Sequence, residues 1–208
     1  MKRKNNAERN FKGEIKMKNV EKLPEGYREI YSLDLQKNKK ASVVVNLLAL
    51  VIAALFAVPM HFVVPITELY SMDNGLTSYT VRCVAMIVLM IVYMVLHEAI
   101  HGIAMKMCGT KKVKYGFTGL YAFAGSNDFY DKKSYIFISL APVVVLGIVL
   151  AVINPFVSAE WFWVVYMIQL MNISGAAGDI FVTARFSRML SDILVQDYGV
   201  GMKVYSRE

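Results

Sequence analysis

The sequence predicts an all-α polytopic membrane protein with four transmembrane helices, and three observations carry that prediction. Hydrophobic residues make up 56% of the chain and charged residues only 19%, against about 45–50% and about 25% in ordinary soluble domains. The apolar residues gather in four runs, each near or above the roughly 18 residues needed to cross a bilayer. Lys and Arg fall almost wholly between those runs. One compact helical domain suits a chain of 208 residues.

Residues 1–40 form a basic tail with twelve Lys or Arg against six acids. They contain no apolar run, so no cleavable signal peptide is expected there, although the stretch from Leu23 to Leu35 has the apolar residues to fold back on the remainder. The membrane domain is expected over 41–184. Its first span covers about Ala41 to Ile66 and carries Asn46, Pro59, His61 and Pro65. An acidic loop with Glu68 and Asp73 leads to the second span, about Thr80 to Met105. The loop from Lys106 to Ser134 holds six lysines. Within it, Val113 to Gly125 alternates aromatic or aliphatic residues with glycine and polar groups, the pattern of a short β-hairpin or of a connector lying on the membrane. The third span, about Tyr135 to Ile153, contains Pro142, and the fourth covers about Trp161 to Ala184. Residues 185–208 form a second polar, amphipathic tail.

Orientation follows from the basic residues of the short loops. The N-terminal tail, the 106–134 loop and the C-terminal tail carry twelve, six and four Lys or Arg, and the other two loops carry none. Both termini are therefore expected in the cytoplasm, in a multi-pass protein of the cytoplasmic (plasma) membrane. The net charge of +7 is explained by this topology and by contact with anionic lipid, with no motif for nucleic acid accompanying it. Cys83 and Cys108 would lie roughly 37 Å apart along one helix, too far for a bridge. The absence of a repeat and the scarcity of charges within the spans disfavour a transporter or channel.

The second span ends in Leu96-His97-Glu98-Ala99-Ile100-His101-Gly102. Histidines four residues apart share one helix face and can reach one metal ion, and the glutamate after the first is placed to act as a general base. Ionisable groups within an apolar span are functional by default. A catalytic zinc takes three protein ligands and keeps one open position, so a third ligand is required. His61 lies toward the outer end of the first span, at the wrong depth. Asp179 is six residues before Arg185, and His101 is five before Lys106. By helix rise these depths are about 9 and about 7 Å, so the two groups share a layer. Asp179 is therefore the expected third ligand, with Asp128 or Asp131 next in line. Asn172, Gly175 and Asp179 are spaced to share a helix face, and Gly175 through Gly178 would allow close helix approach. Asn172 is a candidate to bond a substrate carbonyl or to bond between helices. Pro142 frees a carbonyl in the third span, and either opens access to the metal or only kinks the helix.

These residues resemble the small bacterial zincin peptidase family of multi-pass membrane proteins and, more distantly, site-2-protease-type intramembrane metalloproteases. The resemblance rests on His97-Glu98-Ala99-Ile100-His101, on Ser139-Leu140-Ala141-Pro142 and on Asn172 through Gly178-Asp179, and covers about Tyr93 to Asp179. The site-2 class commonly has Leu-Asp-Gly around its ligand aspartate, where this chain has Gly178-Asp179-Ile180. The resemblance implies cleavage of membrane-spanning substrates, with the 113–125 hairpin holding an unwound strand.

Together these features lead to a Zn²⁺-dependent endopeptidase cutting membrane or membrane-associated proteins near the cytoplasmic face. His97, His101 and Asp179 are the metal ligands, Glu98 is the catalytic base, and Asn172 and Pro142 are substrate-positioning candidates. The expected partners are bilayer lipid and a protein or peptide substrate. The competing expectation is a non-catalytic metal-binding membrane protein acting as a regulatory or immunity-type partner, in which Glu98 would have no task.

Overall fold

A computed structural model describes residues 19–34, 36–119, 122–189 and 192–207. The first 18 residues of the basic tail lie outside the described residues. Helix α1 (Lys39–Val63) is capped by Asn38, whose Oδ1 accepts from the Ala41 amide at 3.1 Å. Helix α2 (Gly75–Met107) carries the histidine motif. Helix α3 (Lys132–Ile153) is capped by Asp131, which accepts from the Ser134 amide at 2.7 Å. A fourth apolar segment follows, and all four are long and apolar enough to cross a membrane. Helix α1 has no buried residue, and Phe62 at its end is 82% exposed. An outer surface this apolar is compatible with a multi-pass membrane protein.

The fourth segment is not the single helix expected from its hydropathy. It breaks at Ala176 into α4 (Ala159–Gly175) and α5 (Ala177–Ser187), with Ala176 at ψ 9°. Gly175 weakens the first helix where it ends, and the Ile180 amide donates to the Ala176 carbonyl at 2.9 Å to begin the second. Asp179 consequently falls in the first turn of a new helix, where unpaired amides and the helix dipole favour a carboxylate.

The all-α expectation also needs correction. Strands β1 (Asn19–Val20), β2 (Tyr27–Leu33), β5 (Phe129–Asp131), β6 (Ile193–Asp197) and β7 (Met202–Arg207) form an antiparallel sheet in the order β1-β5-β6-β7-β2. Both segments read as tails thus contribute strands. Three distant parts of the chain meet at one end of the helices, where Leu33, Tyr130, Val195 and Val204 bury against Met105, Ile138 and Phe186. The expected hairpin is present between α2 and α3 as β3 (Lys114–Phe117) and β4 (Ala122–Gly125), paired from Lys114↔Gly125 to Phe117↔Ala122.

The opposite end closes on a second core around Trp163, whose indole donates to the Val64 and Pro65 carbonyls at 3.0 and 3.1 Å. Arg82, a basic residue in the second span away from the sheet end, is buried there. Its guanidinium bonds the Glu160 carboxylate and the Ser71 carbonyl.

Candidate metal centre

The i,i+4 spacing on α2 sets the rings of His97 and His101 edge to face, with centroids 4.9 Å apart. The break at Ala176 brings Asp179 to the same place. One ligand atom from each of His97, His101 and Asp179 lies within 4.8 Å of the others, and His101 Nε2 is 3.8 Å from Asp179 Oδ2. A tetrahedral zinc spaces its donors about 3.3 Å apart. The observed separations exceed that by at most about 1.5 Å, and two imidazoles with one carboxylate suit zinc chemically. The residues present fit the group.

The other nitrogen of each ring is engaged. His101 Nδ1 is 2.9 Å from the Ile138 carbonyl on α3, and His97 Nδ1 is 3.0 Å from the Tyr93 hydroxyl one helical turn earlier. A carbonyl can only accept, so His101 carries its proton on Nδ1 and offers the Nε2 lone pair to the centre. Glu98 is half-buried beside the backbone amide of Ala124 on β4, and lines a cavity of about 530 Å³ with His97, His101 and Asp179.

The same cavity holds a carboxylate that sequence reasoning missed. Asp197 ends β6, and its Oδ2 accepts from the Tyr135 hydroxyl at 3.0 Å while its Oδ1 accepts from the Gly199 amide at 2.9 Å. Burial raises its carboxyl above the usual aspartate range, a shift opposed by these two bonds. The turn carrying it lies flush on β4. A Cβ on Gly125 would come within 2.5 Å of the Gly199 nitrogen and the Tyr198 carbonyl carbon, and one on Gly199 within 2.2 Å of the Phe123 ring. The Ser126 amide donates to the Asp197 carbonyl at 2.7 Å, fastening turn to strand.

Other sequence candidates lie elsewhere. Asn172 is fully buried and donates to the Val143 carbonyl of α3 at 3.0 Å. It does not line the cavity, and its observed bond runs between helices. Pro142 is buried inside α3 and is also absent from the cavity lining. His61 accepts from the Ile66 amide at 3.1 Å at the far end of the helices. Asp131 is occupied as a helix cap, and Asp128 accepts from the Asn19 side chain. Gly175 and Gly178 are not forced by contact, since a Cβ at either would meet its nearest neighbour at 3.9 and 4.0 Å. The tightly packed residues there are Ala176 and Ala177.

The profile of the family described as "Putative zincin peptidase" matches residues 90–194, about half of the chain. This chain belongs to that family. The matched region includes His97, Glu98, His101, Pro142 and Asp179, and stops short of Asp197. Membership supports a metallopeptidase and implies zinc as its metal. An uncharacterized 24.7 kDa protein in the gap 5′ region of Pyrococcus woesei is 30% identical over 119 residues, which is 55% of this chain and 51% of that protein. The chain thus spans about half the length of this curated relative. No solved structure matches the chain.

Proposed function

We propose that this zincin-family chain is a membrane-embedded endopeptidase that holds Zn²⁺ on His97, His101 and Asp179 and uses Glu98 as its base. The observation that carries this reading is the convergence of those three donors from α2 and α5 beside Glu98 in one cavity. Bound there, zinc would supply Lewis acidity to a water molecule and to the carbonyl of a peptide. Glu98 accepts the proton as that water's oxygen bonds the carbonyl carbon. It then returns the proton to the amide nitrogen as the C–N bond breaks, leaving a carboxylic acid and an amine that settle as carboxylate and ammonium. His97 and His101 would offer imidazole nitrogens to the metal, and Asp179 a carboxylate oxygen from the first turn of α5.

Strand β4 pairs on one side with β3, and its backbone runs beside Glu98. An extended peptide held along this hairpin would lie across the cavity, with the scissile bond near the base. The apolar helices that line the cavity favour membrane or membrane-associated proteins as substrates. Every Lys and Arg except Arg82 lies in the N-terminal, 106–134 or C-terminal segments, which contribute the strands of the sheet. The sheet end is therefore the cytoplasmic one in a multi-pass protein of the plasma membrane.

Metal content of detergent-purified wild type, His97→Ala and Asp179→Ala tests the centre. One zinc per wild-type chain and loss in both variants is expected. A wild type without stoichiometric zinc ends the proposal, and Asp179→Ala with unaltered affinity removes Asp179. Glu98→Gln should retain zinc and lose cleavage of a co-expressed membrane substrate, and unchanged cleavage would remove Glu98 from the mechanism.

A further inference from the structure

We infer that Pro142 is a positioning residue for the metal centre, acting through the carbonyl its missing amide leaves free. In an α-helix each carbonyl accepts from the amide four residues later. For Ile138 that residue is Pro142, which has no N–H to give. Ile138 is only 1% exposed, so its carbonyl cannot turn to solvent, and a buried unpaired carbonyl is costly. The partner it finds is His101 Nδ1, at 2.9 Å from the neighbouring helix. One bond thus completes the backbone of α3 and fixes the tautomer of a ring on α2.

Direction follows from chemistry. The carbonyl has lone pairs alone, so the proton must sit on Nδ1, and the other nitrogen, Nε2, is the one 3.8 Å from Asp179 Oδ2. The proline therefore selects which nitrogen faces the centre and holds the ring in that plane. Other carbonyls of α3 receive bonds from α4, from Asn172 to Val143 and from Gln169 to Gly147. Those carbonyls keep their own helical donors at Gly147 and Ala151. Only at Ile138 is the helical donor absent, and there the visitor is a candidate ligand. Pro142 touches neither cavity nor base, and its influence passes entirely through Ile138 to His101.

This inference rests on the zinc reading of His97, His101 and Asp179, so its test includes a readout that needs no metal. The chain has three histidines, and ¹⁵N-histidine NMR of the chelator-treated protein in detergent can assign each tautomer. Pro142→Ala supplies the missing amide and sets it against His101 for the Ile138 carbonyl. Pro59→Ala makes the same kind of change inside α1, away from the centre. Wild-type and Pro59→Ala proteins should show His101 protonated on Nδ1. In Pro142→Ala the Nε2-protonated form should grow, and zinc Kd, measured with the metal alone against a chelating dye, should weaken 10- to 100-fold. A wild-type His101 protonated on Nε2 overturns the inference, as does a Pro142→Ala protein with the wild-type tautomer and a zinc Kd within twofold. If Pro142→Ala does not fold, the wild-type assignment alone decides. If wild type binds no zinc, the proposed function falls while the tautomer still judges the inference.

Discussion

Removing the Tyr93 hydroxyl separates the centre's geometry from the stability of the fold. Tyr93 Oη is 3.0 Å from His97 Nδ1, and the two rings meet edge to face at 5.6 Å. For His97 Nε2 to face the metal, its proton must lie on Nδ1 and be donated to Tyr93 Oη. Tyr93→Phe keeps the ring and its packing with Leu146 and Ile168, but leaves that N–H without its partner. The fold loses one hydrogen bond, about 0.5–1.5 kcal/mol. Losing an outer partner of a metal ligand typically weakens metal affinity 10- to 100-fold, about 1.4–2.7 kcal/mol. The effect on zinc should therefore exceed the effect on folding. Competition against a chromogenic chelator measures the first, and thermal unfolding of the zinc-free protein the second. A zinc Kd within twofold of wild type would refute the assignment. So would a stability loss above about 3 kcal/mol, the scale of core truncation, because the hydroxyl would then be structural.

Other expectations are as direct. Glu160→Ala leaves buried Arg82 without its carboxylate and should cost about 3–5 kcal/mol, most of it recovered when Arg82→Met is added; unfolding of the four proteins of this cycle measures it. Gly125→Ala drives a Cβ against the backbone of Tyr198 and Gly199 and should destabilise by about 1–3 kcal/mol. Gly102→Ala meets only the hydroxyl end of exposed Tyr115 and gains about 1 kcal/mol of helix propensity, so it should melt at or above wild type. Stripping zinc with a chelator should lower the wild-type melting temperature. Zinc restored to 100 times Kd should return about 2.7 kcal/mol, and Asp179→Ala should show neither change.

What could be read from the sequence was whatever depends on local geometry. His97 and His101 face one way because helix periodicity requires it, and Asp179 was placed by counting residues from the end of a span. Asp197 could not be found this way. It ends a short strand, and its place depends on pairing β6 with neighbouring β7 and with β5, the latter a contact distant in sequence that a polar, amphipathic tail does not announce. The alternation of Ile193, Val195, Met202, Val204 and Ser206 was the available signal, diluted by the charged residues among them. The break at Ala176 was hidden for a different reason. Alanine and glycine in an apolar run fit a continuous helix as readily as an interrupted one, and burial of Ala176 and Ala177 decides between them. Pro142 was legible as a freed carbonyl, but its recipient depends on how α2 packs against α3.

The break and the proline answer the same physical demand by different means. A short aspartate on an unbroken fourth helix would bring its charge among saturated backbone groups. Interrupting the helix three residues earlier sets Asp179 among free amides. Interrupting the hydrogen-bond ladder of α3 at Pro142 instead supplies a free carbonyl, which His101 uses. The acid thus stands at a helix start and the imidazole proton at a carbonyl without a helical donor. Both features come from backbone, which cannot titrate or rotate away. On the proposed reading, apolar spans with little water nearby must bring both charge and tautomer control from within. Much of the cavity's other lining comes from β4 and the Asp197–Gly201 turn, at the sheet end of the helices. Water and an extended peptide would therefore reach Glu98 from the sheet side, while the exposed apolar surfaces of α1 and α2 would take no part in the chemistry.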